Sequence, residues 1–154
     1  MSARYISDLD AIYKNSKTLV ITGCSKSKAE TDIPIPAGEL YTGQLFKFVK
    51  RYADEMNFPL YVISAKYGLI SSETMIERYD KVLRNAADAE LLRPQVEMEL
   101  KKILPEFDSV LVIAGENYRR TLMKIADDKF LFLKTKGIGY TLHVLKKVYP
   151  NTNL

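Results

Sequence analysis

The sequence predicts an α/β domain: a three-layer sandwich in which a mainly parallel, four-stranded sheet carries helices on both faces. Three observations predict it. Short apolar, β-branched runs recur along the chain, as buried parallel strands do. Stretches of helical apolar spacing separate them, the alternation that builds a parallel sheet. The chain has 154 residues, one domain's worth of sequence, and neither a linker nor an internal repeat divides it.

Each element follows in order. Tyr5, Ile6, Leu9, Ile12 and Tyr13 have the spacing of a short amphipathic helix, with Ser7 or Asp8 able to cap it. Thr18-Leu19-Val20-Ile21-Thr22 is the first strand and ends at Gly23. Residues 24–38 hold two prolines, a glycine and many polar groups and read as a loop. Tyr41, Leu45, Phe48, Val49, Tyr52, Ala53 and Met56 predict a helix over 39–57, with Pro59 just beyond it. Leu60-Tyr61-Val62-Ile63 is the second strand, and residues 71–85 read as irregular. Leu92, Val96, Leu100, Ile103 and Leu104 mark a helix over 86–104, in which Pro94 is tolerable near the start or at a kink. Val110-Leu111-Val112-Ile113 is the third strand, 117–126 a helix, and Phe130-Leu131-Phe132-Leu133 the fourth strand. A loop over 134–140 and a last helix carrying Leu142, Leu145 and Val148 complete the order.

Composition narrows the chemistry. With 23 Lys plus Arg against 19 Asp plus Glu the net charge is +4, which permits an anionic partner without demanding one. A single cysteine, Cys24, excludes an internal disulfide framework and suits a reducing compartment. A single histidine, His143, excludes a Cys/His zinc cluster, and its position on the last helix reads as solvated surface. No metal and no cofactor is expected. No run reaches the roughly 18 apolar residues of a membrane span, and the N-terminus lacks a basic region followed by an apolar one. The expected location is therefore the cytoplasm, with no membrane partner.

In parallel α/β sheets, right-handed crossovers put the strand-to-helix loops on one edge, where ligands bind. The chemically unusual residues fall in those loops. After the first strand come Cys24, Ser25, Lys26, Ser27 and Lys28; after the second, Ser64, Lys66, Tyr67 and Gly68. After the third come Glu116, Asn117 and Tyr118, and after the fourth the glycine-rich stretch that ends at Tyr140. Lys26 and Lys28 supply charge, and Ser25 and Ser27 hydroxyl donors, for an anion; the P-loop spacing is absent. Cys24 beside two lysines is a candidate nucleophile, although a free cysteine is more often a small buried apolar residue. Tyr67 can stack on a base, with Tyr41, Tyr79 and Tyr118 at or beside the same rim. Gly68 permits a turn that other residues resist. Asn117 either caps a helix or reads a base edge. Glu116 and Asp80 are the candidate general bases.

Taken together, Cys24-Ser25-Lys26-Ser27-Lys28, Leu40-Tyr41-Thr42-Gly43, Ser64-Ala65-Lys66-Tyr67-Gly68-Leu69-Ile70 and Tyr79-Asp80 with Leu83 resemble a family of small bacterial, archaeal and phage proteins known as a domain of unassigned function. The pattern is also distantly similar to the peroxide stress protein YaaA family, which has a Ser-Pro-Ala-Lys-Thr loop and a Tyr-Thr-Gly triplet. A fainter similarity is to the archaeosine synthase core, with its Pro-Cys-Ser-Lys-type loop and later Tyr-Asp. The resemblance spans roughly residues 19–120. It implies an α/β core and a link to nucleic acid or modified bases, and it adds Thr42 and Gly43 to the expected ligand-binding residues.

The expected function is an enzyme directed at a nucleobase, nucleotide or nucleic-acid base, with N-glycosidic hydrolysis, base exchange or base modification as its reaction. The alternative is a non-catalytic nucleotide or DNA/RNA binder in stress or phage defence. The expected partners are nucleotide, nucleoside, or a single-stranded or flipped-out base.

Overall fold

The computed structural model describes residues 3–10 and 12–134. The last predicted loop beyond Lys134, the last helix and His143 lie outside the described residues. Among the described residues eight strands form two sheets: β1 Arg4–Ile6, β2 Thr18–Gly23, β3 Ile35–Pro36, β4 Leu60–Ser64, β5 Gly68–Ser71, β6 Met75–Ile76, β7 Ser109–Ile113 and β8 Phe130–Leu133. The helices are α1 Ala37–Leu40, α2 Gln44–Met56, α3 Ala86–Ile103 and α4 Glu116–Arg120.

The main sheet has six strands in the order β1-β8-β7-β2-β4-β5, and β3 and β6 make a separate antiparallel pair. All pairs in the main sheet are parallel except β4–β5. Leu19, Val20 and Ile21 at its centre are fully buried, as are Val110 to Ile113 beside them, which is why these strands are continuously apolar. Chain direction places α2 on one face: the step from β2 to β4 runs toward one edge, and a right-handed crossover fixes the side. The return from β4 past β2 to β7, and the next step to β8, put α3 and α4 on the opposite face, where the two helices touch. The α/β sandwich is thus the predicted one, with six strands rather than four.

Local differences have local causes. Residues predicted as a first helix form β1 and a turn, because Tyr5 and Ile6 pair in register with Phe132 and Leu133 and the Tyr5 ring lies on Phe132 at 5.5 Å. A three-residue strand is too short to show a period. The helix predicted over 39–57 is broken at Tyr41-Thr42-Gly43, where Tyr41 turns extended (φ −84°, ψ 126°) and bridges to Lys28. Thr42 N–H donates to Ser27 C=O at 3.0 Å. α2 then ends on Asn57, which takes the left-handed conformation (φ 61°). α3 starts on Asn85, whose side chain accepts from Asp88 N–H at 2.9 Å. Asp88 in turn accepts from Arg84 N–H at 3.0 Å, and that bond holds its carboxyl below the usual range. Pro94 lies inside α3, which runs through it. α4 is shorter than predicted; beyond Arg120 the chain continues in turns.

β5 follows from a tight return after β4. Ser64 pairs with Gly68, and Gly68 has φ +79°, a region that costs an L-residue roughly 1–2 kcal/mol. A Cβ there would also lie 2.7 Å from Gln95 Nε2, which donates to Tyr67 C=O at 3.0 Å. Gly68→Ala is expected to lower stability by about 1–3 kcal/mol. Thermal unfolding checks this; an unchanged midpoint would contradict the reading of this turn.

Candidate active site at the carboxyl edge of the sheet

β2 and β7 are adjacent and parallel, yet the chain leaves them in opposite directions, toward β4 and toward β8. In open parallel sheets ligands bind where the winding reverses in this way, outside the carboxyl ends of the two strands. The loops after β2 and β7 meet there. Cys24, directly after β2, lies with its Sγ 3.3 Å from the Tyr118 hydroxyl on α4. Gly23 makes room, since a Cβ on it would sit 2.7 Å from the Tyr118 ring. Tyr118 hydroxyl also accepts from Leu83 N–H at 3.3 Å, while Asn117 Nδ2 donates to Leu83 C=O at 3.3 Å. Two adjacent α4 side chains therefore pin the stretch that carries Tyr79 and Asp80. Asn117 is not the helix cap; Gly115 holds that position.

Gly23→Ala is expected to displace the Tyr118 ring and separate it from Cys24, at a cost of about 1–3 kcal/mol for overpacking. A crystal structure of the variant with both groups in place and unaltered thermal stability would contradict this.

The second half of the site is a cluster of hydroxyls at the end of β4. Ser64 Oγ is buried and accepts from the N–H groups of Lys66 (3.2 Å) and Tyr67 (2.9 Å). It lies 2.8 Å from the Tyr79 hydroxyl, which lies 2.7 Å from that of Tyr41. Both phenols are buried. Burial, the main cause, pushes Tyr41 up to about 12, and burial followed by the neighbouring Cys24 raises Tyr79 and Tyr118 as well. All three phenols therefore remain protonated at neutral pH.

Lys28 joins the two halves. The Lys28–Tyr41 bridge turns it inward, and the residue is only 8% exposed. Its Nζ stands 4.6 Å from the centre of the Tyr79 ring and 6.0 Å from that of Tyr41, a cation–π arrangement. Among the described residues it donates one long hydrogen bond, 3.4 Å to Lys26 C=O. Among the described residues no carboxylate pairs with it. Loss of solvation lowers its pKa, and the nearby Cys24 and Asp80 oppose that shift. Asp80 is exposed, yet close enough for its charge to bear on Lys28.

Tyr67 is half-buried, edge-on to Tyr79 at 5.5 Å, with Lys66 Nζ 5.1 Å over its ring. Its hydroxyl donates to Glu77 C=O at 3.4 Å. The sheet edge thus gathers Cys24, Lys28, Tyr41, Ser64, Tyr67, Tyr79 and Tyr118, with Asp80 alongside. Other residues expected at the site hold the loop instead. Ser25 Oγ donates to Ser27 C=O at 2.6 Å and accepts from Gly43 N–H at 3.3 Å, and a Cβ on Gly43 would strike the Ser25 Cβ at 2.8 Å. Lys26 and Ser27 are exposed. Glu116 is exposed and bound to Arg120 at 2.8 Å. Sequence reasoning passed over Gly23; a glycine closing a buried strand was the signal for a close approach there. No group of metal-ligating side chains occurs among the described residues. Nor is any of their helices long and apolar enough to cross a membrane.

A family model described as "Family of unknown function (DUF6884)" matches residues 19–147. No curated protein and no solved structure matches the chain.

Proposed function

The chain belongs to this family of unknown function, DUF6884, and we propose that it is an enzyme acting on a nucleobase-bearing substrate, cleaving or exchanging an N-glycosidic bond. One observation carries the reading. A buried lysine without a carboxylate partner among the described residues, a thiol and a set of phenols, drawn from four separated segments, converge at the sheet's switch point. Burying an ammonium group is costly, and a chain that keeps one without a counter-ion has kept it for something other than stability.

The parts have distinct tasks. Tyr67, open to solvent on one side and backed by Tyr79, stacks on the base. Lys28 attracts an anionic group of the substrate. Asp80 is the catalytic residue: its carboxylate takes a proton from water as the water oxygen bonds to the sugar's anomeric carbon. The base departs with the electron pair of the broken bond and takes up a proton from solvent, to which Asp80 returns the one it removed. The same negative charge stabilises the ribosyl cation-like transition state. Cys24, with Tyr118 against its sulfur, is the alternative nucleophile.

The distant resemblance to the peroxide stress protein and archaeosine synthase families points toward nucleic acid as the base-bearing partner. A non-catalytic binder using the same rim is the second reading, favoured by the pairing of Glu116 with Arg120, which takes one of the two candidate general bases out of play. Turnover separates the two. Nucleosides, nucleotides and DNA or RNA containing modified bases are incubated with the protein, and free base is measured by chromatography. Released base supports the enzyme, whereas salt-sensitive binding without product supports the binder.

A further inference from the structure

The hydroxyl cluster has one hydrogen to spare. A hydroxyl oxygen offers two lone pairs and one hydrogen. Ser64 Oγ already accepts two backbone N–H groups, so its hydrogen goes to Tyr79. Tyr79 therefore receives from Ser64, and it shares one further hydrogen bond with Tyr41 in which either phenol can be the donor. Tyr41 lies near Ser64 too, but the Ser64 lone pairs are engaged. Two phenol hydrogens thus share one acceptor, and one of them, on Tyr41 or on Tyr79, has no acceptor among the described residues, on side chains only 2% and 8% exposed. A buried donor left unanswered is costly.

The two phenol rings lie under the Lys28 ammonium, whose own hydrogens have, among the described residues, the one long bond to Lys26 C=O. The phenol pair and Lys28, which a backbone bridge joins to Tyr41, thus present donors that lack full sets of acceptors among the described residues. We infer that Tyr41 hydroxyl and Lys28 ammonium form a paired donor site for one phosphate group, so that the substrate is a nucleotide rather than a nucleoside. Phosphate supplies several acceptor oxygens and a charge opposite to that of Lys28. With phosphate bound, Ser64 donates to Tyr79 and Tyr79 to Tyr41, which frees the Tyr41 hydrogen for the phosphate. The nucleotide assignment rests on the base-directed reading above; the phosphate site does not.

Calorimetry on the full chain tests this with inorganic phosphate, the four nucleosides and their 5′-monophosphates. The 5′-monophosphates are expected to bind at least about tenfold more tightly than the nucleosides, with Tyr41→Phe weakening them by about tenfold, the worth of one charge-assisted hydrogen bond. Unfolding curves for Tyr41→Phe establish that the variant folds. Equal affinity of variant and wild type, equal affinity for nucleosides and nucleotides, or no binding of any phosphate-bearing probe would overturn the site. If inorganic phosphate binds through Tyr41 and 5′-monophosphates bind no better than it, the donor pair stands and the base-directed reading fails.

Discussion

Asp80→Asn is expected to lower turnover by about 10²- to 10⁴-fold, the range supplied by a positioned general base. The substitution keeps the shape and removes the charge. Asp80 is exposed and forms no ion pair among the described residues, so the fold should be indifferent. Substrate affinity should change by less than turnover, because the carboxylate acts mainly on charge that develops in the transition state. Steady-state kinetics of base release checks this. Full activity in Asp80→Asn would move the role to Cys24 or Glu116, and the thiol would then be tested first, because Glu116 is held by Arg120.

Lys28→Met should move stability and binding in opposite directions. Methionine fills much of the volume of the lysine stem and removes a desolvated charge that has no ion-pair partner among the described residues. Replacing buried charge with apolar volume is often stabilising by about 1–4 kcal/mol; because methionine forfeits the cation–π attraction to Tyr79 and Tyr41, the expected gain lies near the lower end. Ligand affinity is expected to fall by about 10- to 100-fold, since a hydrogen bond to a charged group contributes roughly 1.5–3 kcal/mol. The pH dependence carries the same signature. Burial lowers the Lys28 pKa from 10.5, so between the lowered value and 10.5 the unfolded chain binds more protons than the folded one. Wild-type stability from this group therefore rises with pH across that window, and the variant lacks the rise. Thermal and denaturant unfolding at several pH values, beside calorimetry, report both effects. A variant less stable than wild type, or one with intact affinity, would contradict the assignment of Lys28.

Legibility in the sequence followed element length and burial. β2, β4, β7 and β8 are apolar because both faces of the sheet are covered, and that pattern is visible without coordinates. β1, β3 and β6 span two or three residues, so tertiary pairing alone makes them strands. The site was legible by topology: loops after parallel strands share an edge, so Cys24, Tyr67 and Tyr118 could be placed together before any distance was known. Composition did not reveal which lysine turns inward. Lys26 and Lys28 look alike in sequence; the bridge from Lys28 to Tyr41 makes one buried and leaves the other in solvent. The loop hydroxyls were similarly ambiguous. Ser25 is occupied by the Gly43 turn, while Ser64 orients the phenols, and the difference lies in backbone N–H groups that carry no sequence signature.

A crystal structure of the chain grown with a nucleoside 5′-monophosphate tests the single-site reading most directly. Phosphate oxygens within hydrogen-bond distance of Lys28 Nζ and the Tyr41 hydroxyl, with the base against Tyr67, are the expected result. A nucleotide seated away from the β2–β7 switch point, with those donors still unanswered, would contradict it.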